Sequence, residues 1–282
     1  MPKPIVLFTD LDRTLLPNGP QEFSPTAYEY LQQLQQQDVL TIIYVSGRHQ
    51  ALIEEAISQY HPPLPDYIIA DVGTTIYLRE HEQWVLFDAW QQHIAADWNG
   101  LTREDVHECL KHHEALALQE AEKQNQFKLS YYCSLAQDET ELVSQLQQTL
   151  QQSNVQANVI YSIDEIKRCG LIDVLPMSAN KLHAILFLLD YLNQPLDQCL
   201  FSGDSGNDLD VLVSNIPSVL VANAMQQVKA EAMARAGNNR SLHQLYIAKG
   251  DCLQMNGCYA AGIVEGLLHF YPHLAPLLTP LQ

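Results

Sequence analysis

Two aspartates, Asp10 and Asp12, stand two residues apart in Thr9-Asp10-Leu11-Asp12-Arg13-Thr14, directly behind the apolar run Ile5-Val6-Leu7-Phe8. Such a run after a short polar start predicts a buried strand, of the kind found in parallel sheets. At its carboxyl end, two residues apart, the carboxylates project to one side, into the crevice where open α/β sheets place their chemistry. Two like charges that close are costly unless a cation or a shared proton relieves them. A divalent metal beside a carboxylate nucleophile is one solution. A polar turn with solvated aspartates is the other reading of so short a motif.

Three further stretches supply complementary groups. Ile42-Ile43-Tyr44-Val45 leads into Ser46-Gly47-Arg48, and Leu200-Phe201-Ser202 leads into Gly203-Asp204-Ser205-Gly206-Asn207-Asp208. Between them, Lys181 follows Ser178-Ala179-Asn180 and opens a helix-like stretch, Leu182 to Leu192. A carboxylate pair, a hydroxyl, a lysine and a second carboxylate pair at strand ends are the parts needed to move a phosphoryl group. Ser46 can donate to a phosphoryl oxygen, with main-chain N–H groups of the following helix beside it. Gly203 and Gly206 would let the acidic loop turn tightly. Arg48 fits either an ion pair within the core or a substrate contact. Alone, the acidic run is a common surface turn, and a lysine at a helix start is ordinarily solvated; the order of the motifs gives them weight.

In that order the four stretches resemble the haloacid dehalogenase superfamily of phosphohydrolases. The large insertion between the second and third is similar to the superfamily branch with an α/β cap (type C2, subfamily IIB). Phe127-Lys128-Leu129-Ser130-Tyr131-Tyr132, Ile172-Asp173-Val174-Leu175-Pro176 with Asn180-Lys181, and Gly203 to Asp208 further resemble sucrose-phosphate phosphatases. The resemblance implies Mg²⁺-dependent hydrolysis of a sugar phosphate, sucrose 6-phosphate first, through an aspartyl phosphate. Asp10, first after the strand, would be the nucleophile. Asp12 would protonate the leaving oxygen and then deprotonate the attacking water. Lys181 would neutralise developing charge, and Thr14 would tune the nucleophile loop. By resemblance Asp10, the main-chain carbonyl of Asp12, and Asp204 hold the metal, with Asp208 acting directly, through water or through Lys181. The loop Val72-Gly73-Thr74-Thr75 is also similar to the family, so Gly73, Thr74 and Thr75 join Thr14, Arg48, Asn180 and Asn207 as candidate substrate contacts.

Lys128, Ser130 and Tyr132 alternate, so a strand would present them on one face. Cation, hydroxyl and phenol suit a polyhydroxylated sugar; an ordinary exposed sheet face is the alternative. The chain departs from the family pattern at Arg13 (often Gly or Asn), Thr75 (often acidic), Tyr132 (a His expected) and Asn256-Gly257-Cys258-Tyr259 (in place of a His-containing turn). Except for Arg13, beside the entrance, these lie at the sugar end. Another glycosyl phosphate, such as mannosylfructose phosphate, is therefore the alternative substrate.

Composition narrows the classes. With 282 residues, 47% hydrophobic and 17% charged, the chain can bury a core in one large or two modest domains. A formal charge of −18 repels nucleic acid and anionic membranes, but a local metal, Lys181 and Arg48 can reverse the field for a small phosphate ester. The cysteines contain no Cys-x-x-Cys pair and suggest neither zinc nor a disulfide framework; Cys133, Cys169 and Cys199 read as buried. Met1-Pro2-Lys3-Pro4 runs straight into the first strand, which leaves no room for a signal peptide. No apolar run is long enough for a bilayer. A cytoplasmic enzyme of carbohydrate metabolism is expected, with no membrane partner. Oligomeric state is left open, and a monomer is consistent with the sequence.

Strand and helix signals alternate over residues 4–80, the rhythm of a Rossmann-like doubly wound parallel sheet. Ser24-Pro25 reads as the start of the first helix. The glutamine-rich pieces 32–37 and 145–152 keep Leu31, Leu34, Leu142, Leu146 and Leu150 at helical spacing, so they read as exposed helix faces. Residues 81–166, with all three tryptophans, helices over 102–118 and 138–152 and strands over 127–133 and 155–161, read as a smaller inserted α/β cap. The core is expected to resume at 167, with strands near 171–175, 198–202 and 218–222, giving core segments 1–80 and 167–282. A phosphomutase and a non-catalytic phosphatase-like regulatory domain are the competing classes; the latter could lose Asp10, Asp12, Lys181 or Asp204, and all four are present. A response-regulator receiver would not carry its acceptor on the first strand with a long insertion behind it.

Overall fold

The computed structural model describes residues 3–81, 83–164 and 167–279. In chain order the elements begin with β1 (Ile5–Thr9), α1 (Thr26–Gln36), β2 (Leu40–Val45), α2 (Gln50–Tyr60), β3 (Tyr67–Ala70), β4 (Thr75–Glu80) and β5 (Gln83–Leu86). Then follow α3 (Asp88–Ala95), α4 (Arg103–Leu110), β6 (Ala117–Leu118), β7 (Leu129–Cys133), α5 (Glu139–Gln152), β8 (Ala157–Asp164) and β9 (Cys169–Pro176). The chain continues with α6 (Lys181–Tyr191), β10 (Cys199–Gly203), α7 (Leu209–Leu212), β11 (Ser218–Leu220), α8 (Gln226–Asn239), β12 (Leu245–Ile247) and α9 (Ala260–Phe270). Two compact units result: Met1–Ala70, Tyr77–Val85 and Ile185–Gln282 form one, Asp71–Ile76 and Leu86–Ala184 the other.

The first unit is built on an eight-stranded sheet in the order β12-β11-β10-β1-β2-β3-β4-β5. From β12 through β3 every neighbour is parallel, as helical crossovers between consecutive strands require. β1 lies at the centre because its residues Ile5–Phe8 are apolar on both faces, and all four are buried. Strand order runs outward from β1 in opposite directions, through β2 and β3 on one side and β10 and β11 on the other. The β1/β10 boundary is thus a topological switch point, where crossovers diverge and leave a crevice. Helices α1 and α9 pack on the same core cluster; Leu31, Leu34, Ile263, Val264 and Leu267 are fully buried there. The glutamines of α1 fall around that buried stripe, as their spacing predicts.

The second unit holds a four-stranded sheet, β6-β7-β9-β8, antiparallel throughout. Here the sequence expectation needs correcting. Residues 171–175 were expected to return the chain to the core, yet β9 pairs with β7 and β8 along its length. Alternating burial, with Ile172 and Val174 in and Leu171 and Asp173 half out, is the signature of a one-sided antiparallel sheet. Trp84 also belongs to the first unit, packed against its core, whereas Trp90 and Trp98 are fully buried in the second. Helix α4 stops at Leu110, well short of 118. Val106 and Leu110 make its buried stripe, and the next position on that face is His113, whose Nε2 bonds Thr149 Oγ1 at 2.9 Å. Ser24 does not cap α1, which starts at Thr26 with no side-chain cap. Cys133 and Cys199 are buried and Cys169 only half so; all six cysteines are free, and burial pushes the Cys199 thiol up to about 12.

The turn after β3 is the most constrained backbone of the second unit. Asp71, Val72 and Gly73 all have positive φ (52°, 62° and 98°), and a Cβ on Gly73 would lie 2.6 Å from the Asn180 carbonyl carbon. Trp90 Nε1 donates to Gly73 O at 3.0 Å and Gln91 Nε2 to Thr74 O at 2.8 Å, fixing the turn to α3. Gly206, by contrast, has open space around it and no positive φ, so the acidic loop does not need a glycine there. Gly73→Ala is expected to lower unfolding free energy by about 1–3 kcal/mol, and Gly206→Ala to stay within about 0.5 kcal/mol of the parent. Denaturant unfolding of both variants checks this; equal effects would contradict the constraint.

Candidate active site

Asp10 directly follows β1, its N–H bonded to Ser202 O of β10 at 2.9 Å. That ladder bond carries the end of β1 to the end of β10, where Gly203 admits Asp208 so closely that a Cβ would sit 2.7 Å from the carboxyl carbon. Carboxylate oxygens of Asp10, Asp204 and Asp208, all buried, lie within 4.8 Å of one another. Hard oxygen donors in such a group fit a divalent cation, and without one their repulsion is severe. Asp208 is also structural. Its Oδ2 accepts Asp204 N at 3.1 Å and Ser205 N at 3.2 Å, in a capping box at the loop's short 3-10 turn.

The first unit holds Thr14, Ser46, Arg48 and Asn207 among the other candidates. Thr14 Oγ1 lies 3.5 Å from Asp204 Oδ1, so its hydroxyl serves the carboxylate cluster. Arg13, with φ 59°, brings Nε to 3.3 Å from Asp204 Oδ2. Its carbonyl accepts from Asn223 Nδ2 at 2.6 Å, and its Nη2 donates to Asn223 O at 3.3 Å. Ser46 is buried at the end of β2; its Oγ accepts the Arg48 N–H at 3.1 Å, leaving the hydroxyl proton for another acceptor. Arg48 forms an ion pair with Asp12. Nε and Nη2 grip Asp12 Oδ2 and Oδ1 at 2.9 and 2.6 Å, a fork that raises the guanidinium's own affinity for its proton. Asn207 is exposed and accepts from Ser205 Oγ at 2.8 Å.

In the second unit, Lys181 is buried at the first position of α6, and Asn180 Oδ1 caps that helix by accepting His183 N at 2.9 Å. Thr74 and Thr75 form a polar knot: Thr74 Oγ1 donates to Asp71 O at 3.0 Å, Thr75 Oγ1 to Asp71 Oδ2 at 3.2 Å, and Asn125 Nδ2 reaches Thr74 Oγ1 at 2.9 Å. Lys128 and Ser130 converge on Asp173, with Lys128 Nζ 3.9 Å from Oδ1 and Ser130 Oγ donating to the same oxygen. Tyr132 does not join them. Its hydroxyl donates to Glu120 Oε2 at 2.8 Å and accepts from Lys167 Nζ at 2.7 Å, in a solvated cluster at the far end of the strand. The Glu120 carboxyl is held below its usual range by its own N–H and by that hydroxyl.

Asp71, Asn125, Asp173, Asn18 and Asn223 were not singled out by sequence. Asp173 could have been found, since alternation along β9 puts it on the polar face; its meeting with Ser130 needs the β7–β9 register, which pairs the two.

Residues 3–271 match the sucrose-6F-phosphate phosphohydrolase family. The chain belongs to that family. It is a sugar-phosphate phosphatase of the sucrose-phosphatase type, a hydrolase of phosphate monoesters. A protein of Nitrosococcus oceani described as a HAD-like hydrolase is 47% identical over 96% of this chain and 73% of its own length. The mannosylfructose-phosphate phosphatase of Agrobacterium fabrum is 27% identical over 95% of this chain and 98% of its own. Among solved structures, the Synechocystis sucrose-phosphatase in complex with sucrose and phosphate superposes with a TM-score of 0.72 at 26% identity, covering 95% of this chain and 98% of that one. These likenesses bear out the superfamily and the fold that the motifs imply, a doubly wound core with a smaller α/β insertion. No helix among the described residues is long and apolar enough to cross a membrane.

Asp10→Asn removes one charge from the triad. In chelator it is expected to melt at or above the parent's midpoint, and the rise in midpoint expected of the parent in millimolar Mg²⁺ should largely vanish. Thermal unfolding with and without metal checks both; a parent midpoint indifferent to divalent cations would contradict a metal site.

Proposed function

We propose that this family member hydrolyses a disaccharide phosphate, sucrose 6-phosphate first, with Mg²⁺ and an aspartyl-phosphate intermediate. The observation that carries the reading is the buried Asp10–Asp204–Asp208 group at the β1/β10 switch point. In the first half-reaction an Asp10 oxygen attacks phosphorus, the bond from phosphorus to the sugar oxygen breaks, and Asp12 gives that oxygen its proton. In the second, Asp12 takes a proton from water as its oxygen attacks phosphorus and the Asp10–phosphorus bond breaks. The chemistry a divalent cation would supply when bound is electrostatic, an offset to the negative charge of the phosphoryl group and its attacking carboxylate. Asp10, Asp204 and the Asp12 carbonyl would hold it, while Asp208, whose Oδ2 is engaged by loop N–H groups, orients Asp204. Ser46 would donate to the phosphoryl group, and Lys181 would stabilise its developing charge. Asp10→Asn is expected to cut turnover by at least about 10³-fold while leaving the fold intact. Retention of activity within tenfold would overturn the mechanism.

Sugar recognition falls to the second unit in this reading. Lys128, Ser130 and Asp173 offer a cation, a hydroxyl and a carboxylate in one half-buried cluster, the donor and acceptor mix that reads sugar hydroxyls. Thr74 and Thr75, tied to Asp71 and Asn125, are further candidates. The mannosylfructose phosphate alternative rests on Thr75 and Tyr132, which depart from the sucrose pattern, and on the relative that acts on it. A site built to bond particular hydroxyls rejects the wrong sugar strongly. Lys128→Ala and Asp173→Asn should each lower kcat/KM on the preferred sugar phosphate about tenfold or more, with little change on nitrophenyl phosphate. A screen of mono- and disaccharide phosphates with Mg²⁺ identifies the substrate, and equal loss on both esters would make the cluster structural.

A further inference from the structure

Asn18 lies in the exposed Pro-Asn-Gly turn that follows the catalytic segment, and it bonds that segment at two points. Its Nδ2 donates to Asp12 Oδ1 at 2.6 Å, and its Oδ1 accepts the Arg13 N–H at 2.7 Å. One planar amide therefore ties the Asp12 side chain to the backbone of the next residue, at the point where the chain turns left-handed. From the geometry we infer that Asn18 is a positioning residue for Asp12, aiming its carboxyl at the oxygen that leaves phosphorus. The inference rests on the acid–base reading of Asp12.

Packing does not hold the Asp12 side chain, which is 44% exposed, so its orientation comes from hydrogen bonds. Arg48 supplies two of these from the segment before α2, and they fix the carboxyl relative to that segment only. Asn18 fixes it relative to its own loop. The loop is rigid enough to do so because its far side is anchored. The Tyr259 hydroxyl accepts Gln21 N at 3.2 Å and donates to Gln21 Oε1 at 2.9 Å, and it packs so near Gly19 that a Cβ there would be 2.6 Å away. Asn256 Nδ2 adds a bond to Glu22 O at 2.7 Å. The Asn-Gly-Cys-Tyr turn that departs from the family pattern thus has a use here, as the clamp behind Asn18. The residue type also follows. A primary amide offers donor and acceptor together; aspartate would repel Asp12, and alanine offers neither.

Proton transfer needs heavy atoms within about 2.6–3.2 Å, and the need grows with the basicity of the leaving oxygen. The test compares kcat/KM across phenyl phosphates of graded leaving-group basicity, from dinitrophenyl to unsubstituted phenyl, for the parent, Asn18→Ala and Asp12→Ala. This parameter covers steps only through departure of the phenol, so slower hydrolysis of the phosphoenzyme does not enter. Asn18→Ala should lose about tenfold on phenyl phosphate and less than about twofold on the dinitrophenyl ester, with an unchanged melting midpoint. Asp12→Ala should show the same gradient more steeply. A uniform loss, or none, in Asn18→Ala beside a graded loss in Asp12→Ala would overturn the positioning role and leave Asp12 standing. A flat Asp12→Ala profile would remove the acid–base reading itself.

Discussion

The repulsion among Asp10, Asp204 and Asp208 is the constraint that the core answers. Three carboxylates whose oxygens fall within 4.8 Å, each buried, can be held together only by a scaffold that does not yield. The scaffold is the β1–β10 pair, four residues in parallel register at the middle of the sheet. Because β1 is apolar on both faces and flanked by strands on both sides, the carboxylates at its end cannot relax without breaking the core. The same repulsion makes the site a receiver of cations. Arg13 lies 3.3 Å from Asp204, and hard oxygen donors gathered this closely suit a divalent ion.

Around that group, the loops that bear the candidate site residues are fastened to segments remote in sequence. Asn223 holds both ends of Arg13 and also accepts the Tyr259 N–H at 2.8 Å. The buried Glu265 of α9 accepts from the Tyr246 hydroxyl at 2.7 Å and from the N–H groups of Lys249 and Gly250 at 2.7 and 2.9 Å, fixing the segment before the Asn256–Tyr259 turn. A buried carboxylate with three donors is well satisfied. The C-terminal part of the chain therefore braces the loop that follows Asp10.

The second unit follows a different logic. Its sheet is one-sided, and its polar groups gather in clusters: the turn Asp71–Thr75 with Asn125, the Lys128–Ser130–Asp173 group, and Tyr132 with Glu120 and Lys167. The first two are largely shielded from water, so each group needs a partner of matching polarity. The third is solvated and carries little energy.

The sequence by itself determined the class of reaction, phosphate-monoester hydrolysis, and the outline of the core. Apolar runs ending in Asp-x-Asp, Ser-x-Arg and Gly-Asp-x-x-x-Asp state both the strands and what their ends must do, because a buried parallel strand and a strand-end carboxylate each leave local signatures. The leucines inside the glutamine-rich helices were legible for the same reason: helical period is local. Tertiary structure alone decided which sheet β9 joins, since a short apolar run fits either a core strand or an antiparallel edge until its partners are known. It also decided that Arg48 grips Asp12, that Tyr132 parts from Lys128 and Ser130, and that Gly206 is not conformationally required while Gly73 is. Contacts such as Asn223 to Arg13 join residues 210 apart in the chain, and no periodicity or spacing encodes them. They exist because closing the fold leaves polar groups that must find partners wherever the chain has brought them.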